Sequence, residues 1–222
     1  MTTEREPDSE PEHIAAVLDR TMPRIESGVP VERVRRVEMP PPSLPTPDVP
    51  KRFRDARFTN YTAETDTERM ALKMAERWVA AVLRGEGPML ALVGVQGTGK
   101  SHLLYSAAWA LHLGGRTCRP FPWYRLADEL RYGRGMTEAH EIRTALFGQR
   151  VLLLDEVRPT ANTAFDDTEL AKLACHAYDQ EIPVILTTNV SPLDAVLGPA
   201  AASRFTQLTL TGRDRRQTKA EA

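Results

Sequence analysis

The chain reads as a three-layer α/β protein, a central parallel sheet between two layers of helices. Three observations predict it. The apolar runs at 89–93, 151–154 and 183–188 are each long enough for one strand buried on both faces. Stretches of helical periodicity separate them, which is the pattern of parallel strands joined by crossover helices. The first run also passes directly into Gly94-Val95-Gln96-Gly97-Thr98-Gly99-Lys100-Ser101, the pattern G-x-x-x-x-G-K-S between a strand and a helix.

Taken in order, residues 1–11 are too acidic and polar to pack. Residues 12–22 form a short helix candidate with Ile14, Val17 and Leu18 on one stripe, stopped by Pro23. That helix either packs on the chain's own core or serves as a partner-binding hook. Eight prolines between Pro23 and Pro50 make the next stretch a semi-extended linker, or an arm that grips a partner. The chain therefore divides into an extension, 1–50, and a folded domain, 51–222. Thr65 and Glu68 stand at the spacing of a capping box before a helix whose inner face carries Ala71, Ala75, Trp78, Val79 and Val82, ending at Gly85. Strand 89–93 and the Gly-rich loop follow. The Ala/Leu-rich stretch 101–113 continues as a helix to Gly114-Gly115. Residues 117–121 make a poor strand interrupted by prolines, and two helical stretches follow at 124–132 and 136–147. Strand 150–154, helix 168–180, strand 183–188, a turn or two of helix at 193–197 and a last strand at 205–210 complete the domain.

Composition excludes several classes. The net charge of −1 conceals −4 in residues 1–50, from six Lys/Arg and ten Asp/Glu, leaving +3 for the remainder. Such a balance permits shared contact with nucleic acid and does not require it. Cys118 and Cys175 are isolated, so no zinc site is expected and a reducing, cytoplasmic setting is the default. The acidic N-terminus is no signal peptide, and no apolar run approaches membrane-spanning length.

The chemistry is concentrated in four places. In the loop Gly94–Ser101, glycines let successive N–H groups point at phosphate oxygens, and the helix N-terminus that follows attracts anions. Gly94, Val95, Gln96, Gly97, Thr98, Gly99, Lys100, Ser101 and His102 are the candidate ATP-binding residues. Lys100 would reach the β- and γ-phosphates and Ser101 would place its hydroxyl on Mg²⁺. Asp155 and Glu156 end the second apolar run. A strand beside the loop strand is expected to deliver Asp155 to the metal, with Glu156 facing the γ-phosphate as a base for water. Asn189 ends the third run at the sheet edge where ligands bind, and can hold the γ-phosphate and the lytic water; its plainer reading is a turn starter. Arg204 precedes the last strand.

The ordered set GVQGTGKSHL (94–103), LLLDE (152–156), VILTTN (184–189), SRF (203–205) and GRDRR (212–216), with FTNY at 58–61, resembles AAA+ ATPases of the DnaC/IstB helicase-loader type over residues 51–216. The resemblance implies a P-loop NTPase domain without a C-terminal helical lid, because twelve residues follow Leu210. Bound nucleotide would then be poorly covered until subunits assemble. It also implies that Arg204 is an arginine finger entering a neighbour's site, so that the protein forms a homo-oligomer, and that Arg216 contacts nucleotide. The partners implied are a replicative hexameric helicase, met through the N-terminal extension, and single-stranded DNA. Trp123, Tyr124, Arg125, Arg131, Tyr132 and Arg134 combine rings and cations as stacking on such a strand would need, or else are core aromatics among surface arginines. Similar sequences also serve transposition on duplex DNA, and a nucleotide-gated adaptor would need the same binding loop without hydrolysis.

Overall fold

A computed structural model describes residues 46–126, 150–158 and 164–215, the side chains of 164–167 excepted. Five parallel strands form one sheet: β1 Met89–Gly94, β2 Arg119–Pro122, β3 Leu152–Val157, β4 Val184–Thr188 and β5 Thr206–Leu210. Their spatial order is β2-β3-β4-β1-β5. The acid-bearing strand β3 is therefore not the neighbour of the loop strand that the sequence suggested. Strand β4 lies between them, pairing Leu90 with Ile185 on one side and Leu152 with Val184 on the other.

Period-two alternation sends each strand's side chains to opposite faces, and each face has its own core. Met89, Ala91, Val93, Leu154 and Leu186 pack with Leu170, Leu173, Ala174 and Ala177 of helix α3, Ala164–Asp179. Leu90, Leu92, Leu153 and Ile185 pack with the inner faces of α1, Asp66–Arg84, and α2, Lys100–Leu113. Trp123 joins the first core at 1% exposure. It is a core aromatic, and no face of it is available for a nucleotide base. The helix predicted at 124–132 begins at residue 123 and is followed through residue 126. Arg131, Tyr132, Arg134, the stretch 136–147 and the N-terminal helix 12–22 lie outside the described residues.

Helix α1 forms as its sequence dictates. Thr65 Oγ1 accepts from the Glu68 N–H at 3.2 Å, and Glu68 accepts in return from the Thr65 N–H. Gly85 ends the helix at φ 90°, a conformation that disfavours other residues. The prolines of β2 are tolerated because, among the described residues, this strand is the edge of the sheet and pairs with β3 alone. Two short helices, α4 Asp194–Leu197 and α5 Pro199–Ala202, lead to β5. Val49 already packs against the second core, ahead of the expected domain start at 51.

Candidate functional site

The C-terminal ends of β1, β3 and β4 converge on the Gly-rich loop. Lys100, buried at the first position of α2, donates from Nζ to the carbonyls of Gly94 (2.7 Å) and Val95 (2.6 Å). Thr98 Oγ1 donates to the Val95 carbonyl at 3.0 Å and closes the turn. Gly94 and Gly99 need their positive φ, and a Cβ on Gly99 would meet the Tyr61 ring at 2.6 Å.

The second chemical group meets the first directly. Ser101 Oγ donates to Asp155 Oδ1 at 2.8 Å, so the hydroxyl and the carboxylate expected to share a metal lie side by side. This neutral hydroxyl and buried carboxylate are hard oxygen donors of the kind Mg²⁺ selects, and they fit that ion. Asp155 is also met by Thr187 Oγ1, which donates to the same oxygen at 2.7 Å, and by the buried Tyr105 hydroxyl. Burial, with the Asp155 charge beside it, holds the Tyr105 phenol protonated far above its ordinary range. Thr187 does a second job, accepting the Glu156 N–H at 2.9 Å.

Glu156 carries φ 57°, at the point where the β3–β4 register breaks between Leu154 and Val157. Non-glycine residues adopt this conformation at an energetic cost, and it turns the side chain out of the strand alternation toward the strand end. A cleft of about 110 Å³ collects Gln96, Gly97, Gly99, Lys100, Ser101, His102, Glu156, Thr187 and Asn189. Apart from Gly94, Val95, Thr98 and Asp155, which frame it from behind or carry its hydrogen bonds, the sequence-predicted residues of this chain's own site line that cleft. Arg204 does not: its guanidinium lies 4.7 Å over the ring of Tyr178 on α3. Arg216 lies outside the described residues. A larger cavity of about 530 Å³, among Arg116, Arg150 and Glu181 at the opposite end of the strands, contains none of these groups.

Sequence reasoning missed how the loop is held from outside. Tyr61 Oη donates to the Thr98 carbonyl at 3.1 Å, and burial pushes the Tyr61 phenol up to about 12. Residues 211–215 fold back across the loop: the Arg215 N–H donates to the Gly97 carbonyl at 3.3 Å, and Asp214 fills the space a Cβ on Gly97 would need. The Arg215 guanidinium sits 2.7 Å from buried Glu68 and over the Tyr61 ring. Glu68 thus caps α1 and anchors the tail in one residue. The tail gives the loop cover that the sequence reading did not anticipate. His102 Nε2 faces the Arg57 carbonyl (3.1 Å) and Asn60 Oδ1 (3.0 Å), both acceptors, which assigns the proton to that nitrogen. Burial lowers the His102 pKa, and the Arg215 charge adds to the effect against the Arg57 hydrogen bond. A polar cleft of about 260 Å³ adjoins His102, lined by Asn60, Tyr61, Thr62, Glu64, Arg213 and Arg215.

Similarity to solved structures gives this geometry its context. A DnaC helicase loader superposes with TM-score 0.62 at 21% identity, over 73% of this chain and 100% of that one. DnaI superposes equally well, with TM-score 0.62 at 21% identity over 76% of this chain and 95% of that one. The fold is the one these two structures share. AMPPCP-bound DnaA from Aquifex aeolicus shares it, at TM-score 0.61 and 19% identity, over 75% of this chain and 54% of DnaA. No family model and no curated protein sequence matches the chain. Among the described residues no helix is long and apolar enough to cross a membrane, and no group of three or more His, Cys, Asp or Glu side chains is placed to hold a metal.

Proposed function

We propose that this chain is a Mg²⁺-dependent ATPase that loads a replicative hexameric helicase onto single-stranded DNA. The observation that carries the ATPase reading is the 2.8 Å hydrogen bond joining Ser101 of the loop to Asp155 of β3. It brings the groups that bind phosphate and metal to one point. The phosphates lie in the cleft behind Lys100, and the nucleoside end extends past His102 into the cleft beside Asn60 and Tyr61. Ser101 and Asp155 would hold Mg²⁺, which would supply electrostatic stabilisation to the charge that develops on the transferred phosphate.

Lys100 draws charge from the same oxygens. Glu156, turned toward the cleft by its left-handed backbone, accepts a proton from the attacking water. Asn189 orients that water and the γ-phosphate. Arg204 is held away from its own cleft, and in this reading it serves the cleft of the next subunit in a head-to-tail homo-oligomer. Residues 1–50 contact the helicase, Tyr124 and Arg125 are exposed on the chain's basic-aromatic segment for DNA, and 51–222 form the motor.

The loader reading is supported by the likeness to DnaC and DnaI along nearly their whole length. Its test is the mass of the species formed when the protein is mixed with the replicative helicase of its own source, with and without ATP. A helicase hexamer carrying several copies of the chain is expected. Co-elution with no hexameric helicase under either condition excludes loading, and duplex-bound filaments with a transposase partner would replace it.

A further inference from the structure

Arg52 belongs to the basic-aromatic run 51–61, to which the sequence assigns no chemistry. We propose that Arg52 is an in-cis catalytic arginine that contacts the terminal phosphate of bound ATP; the inference rests on the ATPase reading and adds a residue to it.

Three observations converge. Arg52 lines the phosphate cleft together with Lys100, Ser101, Glu156 and Asn189. It also lines the adjoining cleft of about 370 Å³, together with Asp155 and Glu156, and it is absent from the cleft beside Tyr61 and Arg213. Its position is therefore at the Glu156 end of the site, where the terminal phosphate lies, and away from the nucleoside end.

The second observation is the way the guanidinium is held. Residues Lys51–Phe53 form one 3₁₀ turn, closed by the Phe53 N–H donating to the Pro50 carbonyl at 2.8 Å. The Phe53 ring stacks on Tyr105 with centroids 4.5 Å apart and planes at 21°. Tyr105 is buried and hydrogen-bonded to Asp155. The Arg52 guanidinium rests 4.7 Å above the other member of that stack. A chain of rigid rings thus ties an otherwise mobile cation to the acid that would hold the metal, which lowers the entropy lost when it engages a ligand.

The third is charge. Asp155 and Glu156 bring two carboxylates to the side of the site where a γ-phosphate adds more negative charge. The loop itself contributes Lys100 as its cation. A planar guanidinium at the Glu156 end offers paired N–H groups matched to phosphate oxygens. Arg52 is exposed, so its contribution is screened by salt and is smaller than that of a buried pair.

The experiment uses the full-length chain and fluorescent ATP and ADP analogues, comparing wild type with Arg52→Ala and Arg52→Lys. Loss of charge-assisted hydrogen bonds to the γ-phosphate predicts that Arg52→Ala weakens ATP-analogue binding by roughly tenfold or more. ADP-analogue binding should stay within about twofold, since RT ln 2 is well below one such bond. Arg52→Lys should fall between, and raising the salt should narrow the difference. If ATP and ADP binding fall together, the side chain is only packing and the proposal is overturned. If neither falls, it is overturned as well. Wild type that binds neither analogue overturns the ATPase reading itself, and Arg52 with it.

Discussion

Replacing Thr187 by Val keeps the shape of a fully buried side chain and removes one hydroxyl. That hydroxyl donates to Asp155 Oδ1 at 2.7 Å and accepts the Glu156 N–H at 2.9 Å. Each bond contributes about 1 kcal/mol net, and an amide left without a partner in a part-buried position costs about 1–3 kcal/mol. Asp155 retains its bonds from Ser101 and Tyr105, so the loss falls mainly on Glu156. A total of about 2–3 kcal/mol corresponds to a drop in Tm of roughly 5–10 °C for a domain of this size. The catalytic effect should exceed the thermal one, because Glu156 occupies a costly backbone conformation at φ 57° that this bond helps maintain. A misplaced base loses up to the ~10²–10⁴ that general-base catalysis supplies. The assays are thermal unfolding and steady-state ATP turnover, with Thr187→Ser as the rescuing variant. Unchanged Tm together with unchanged kcat in Thr187→Val would refute the bridging role, and so would a Ser variant as impaired as Val.

Other perturbations follow the same geometry. Glu68→Gln removes the charge that holds Arg215, and should cost roughly 1–3 kcal/mol of stability and raise KM for ATP while sparing kcat, checked by melting and kinetics together. Gly97→Ala places a Cβ 2.5 Å from the Asp214 Cα and must displace the tail, so protease sensitivity at 211–215 should rise and ATP affinity should fall. His102 has its pKa lowered in the folded state, so the unfolded chain takes up its proton first as pH falls. Stability should therefore decline from about pH 6.5 down to the lower folded pKa and then level off, and subtracting the profile of His102→Asn should isolate that step.

Local features of the fold were legible because local rules govern them. The capping box at Thr65 and Glu68, the stop at Gly85 and the helix starting from the loop were all readable within a few residues of sequence. Strand order was not. The insertion of β4 between β1 and β3 depends on which strands pair across the whole domain, and three similar apolar runs carry no label for that choice. This topology explains why Thr187 matters: it sits on the strand between loop and acid, within reach of both Asp155 and Glu156. Glu68 shows the same limit. Its spacing announces a helix cap, whereas its ion pair with Arg215 joins residues distant in sequence. Trp123 had the composition of a stacking residue, and burial decided otherwise. Tyr105 reads in sequence as one more helix residue, whereas its ring stacks on Phe53 and its hydroxyl meets Asp155, both distant in the chain.

In the proposed mechanism each cleft is one half of an ATPase site, with Glu156 and Lys100 from one subunit and Arg204 from the next. Its most direct measurement is ATP turnover by an equimolar mixture of Glu156→Gln and Arg204→Ala, under conditions where wild type assembles. Each variant alone should bind ATP and turn over none. In the mixture, interfaces that pair an intact Glu156 with an intact Arg204 should recover turnover well above either variant alone. A mixture as inactive as its components, or an Arg204→Ala protein that hydrolyses ATP at the wild-type rate, would contradict it.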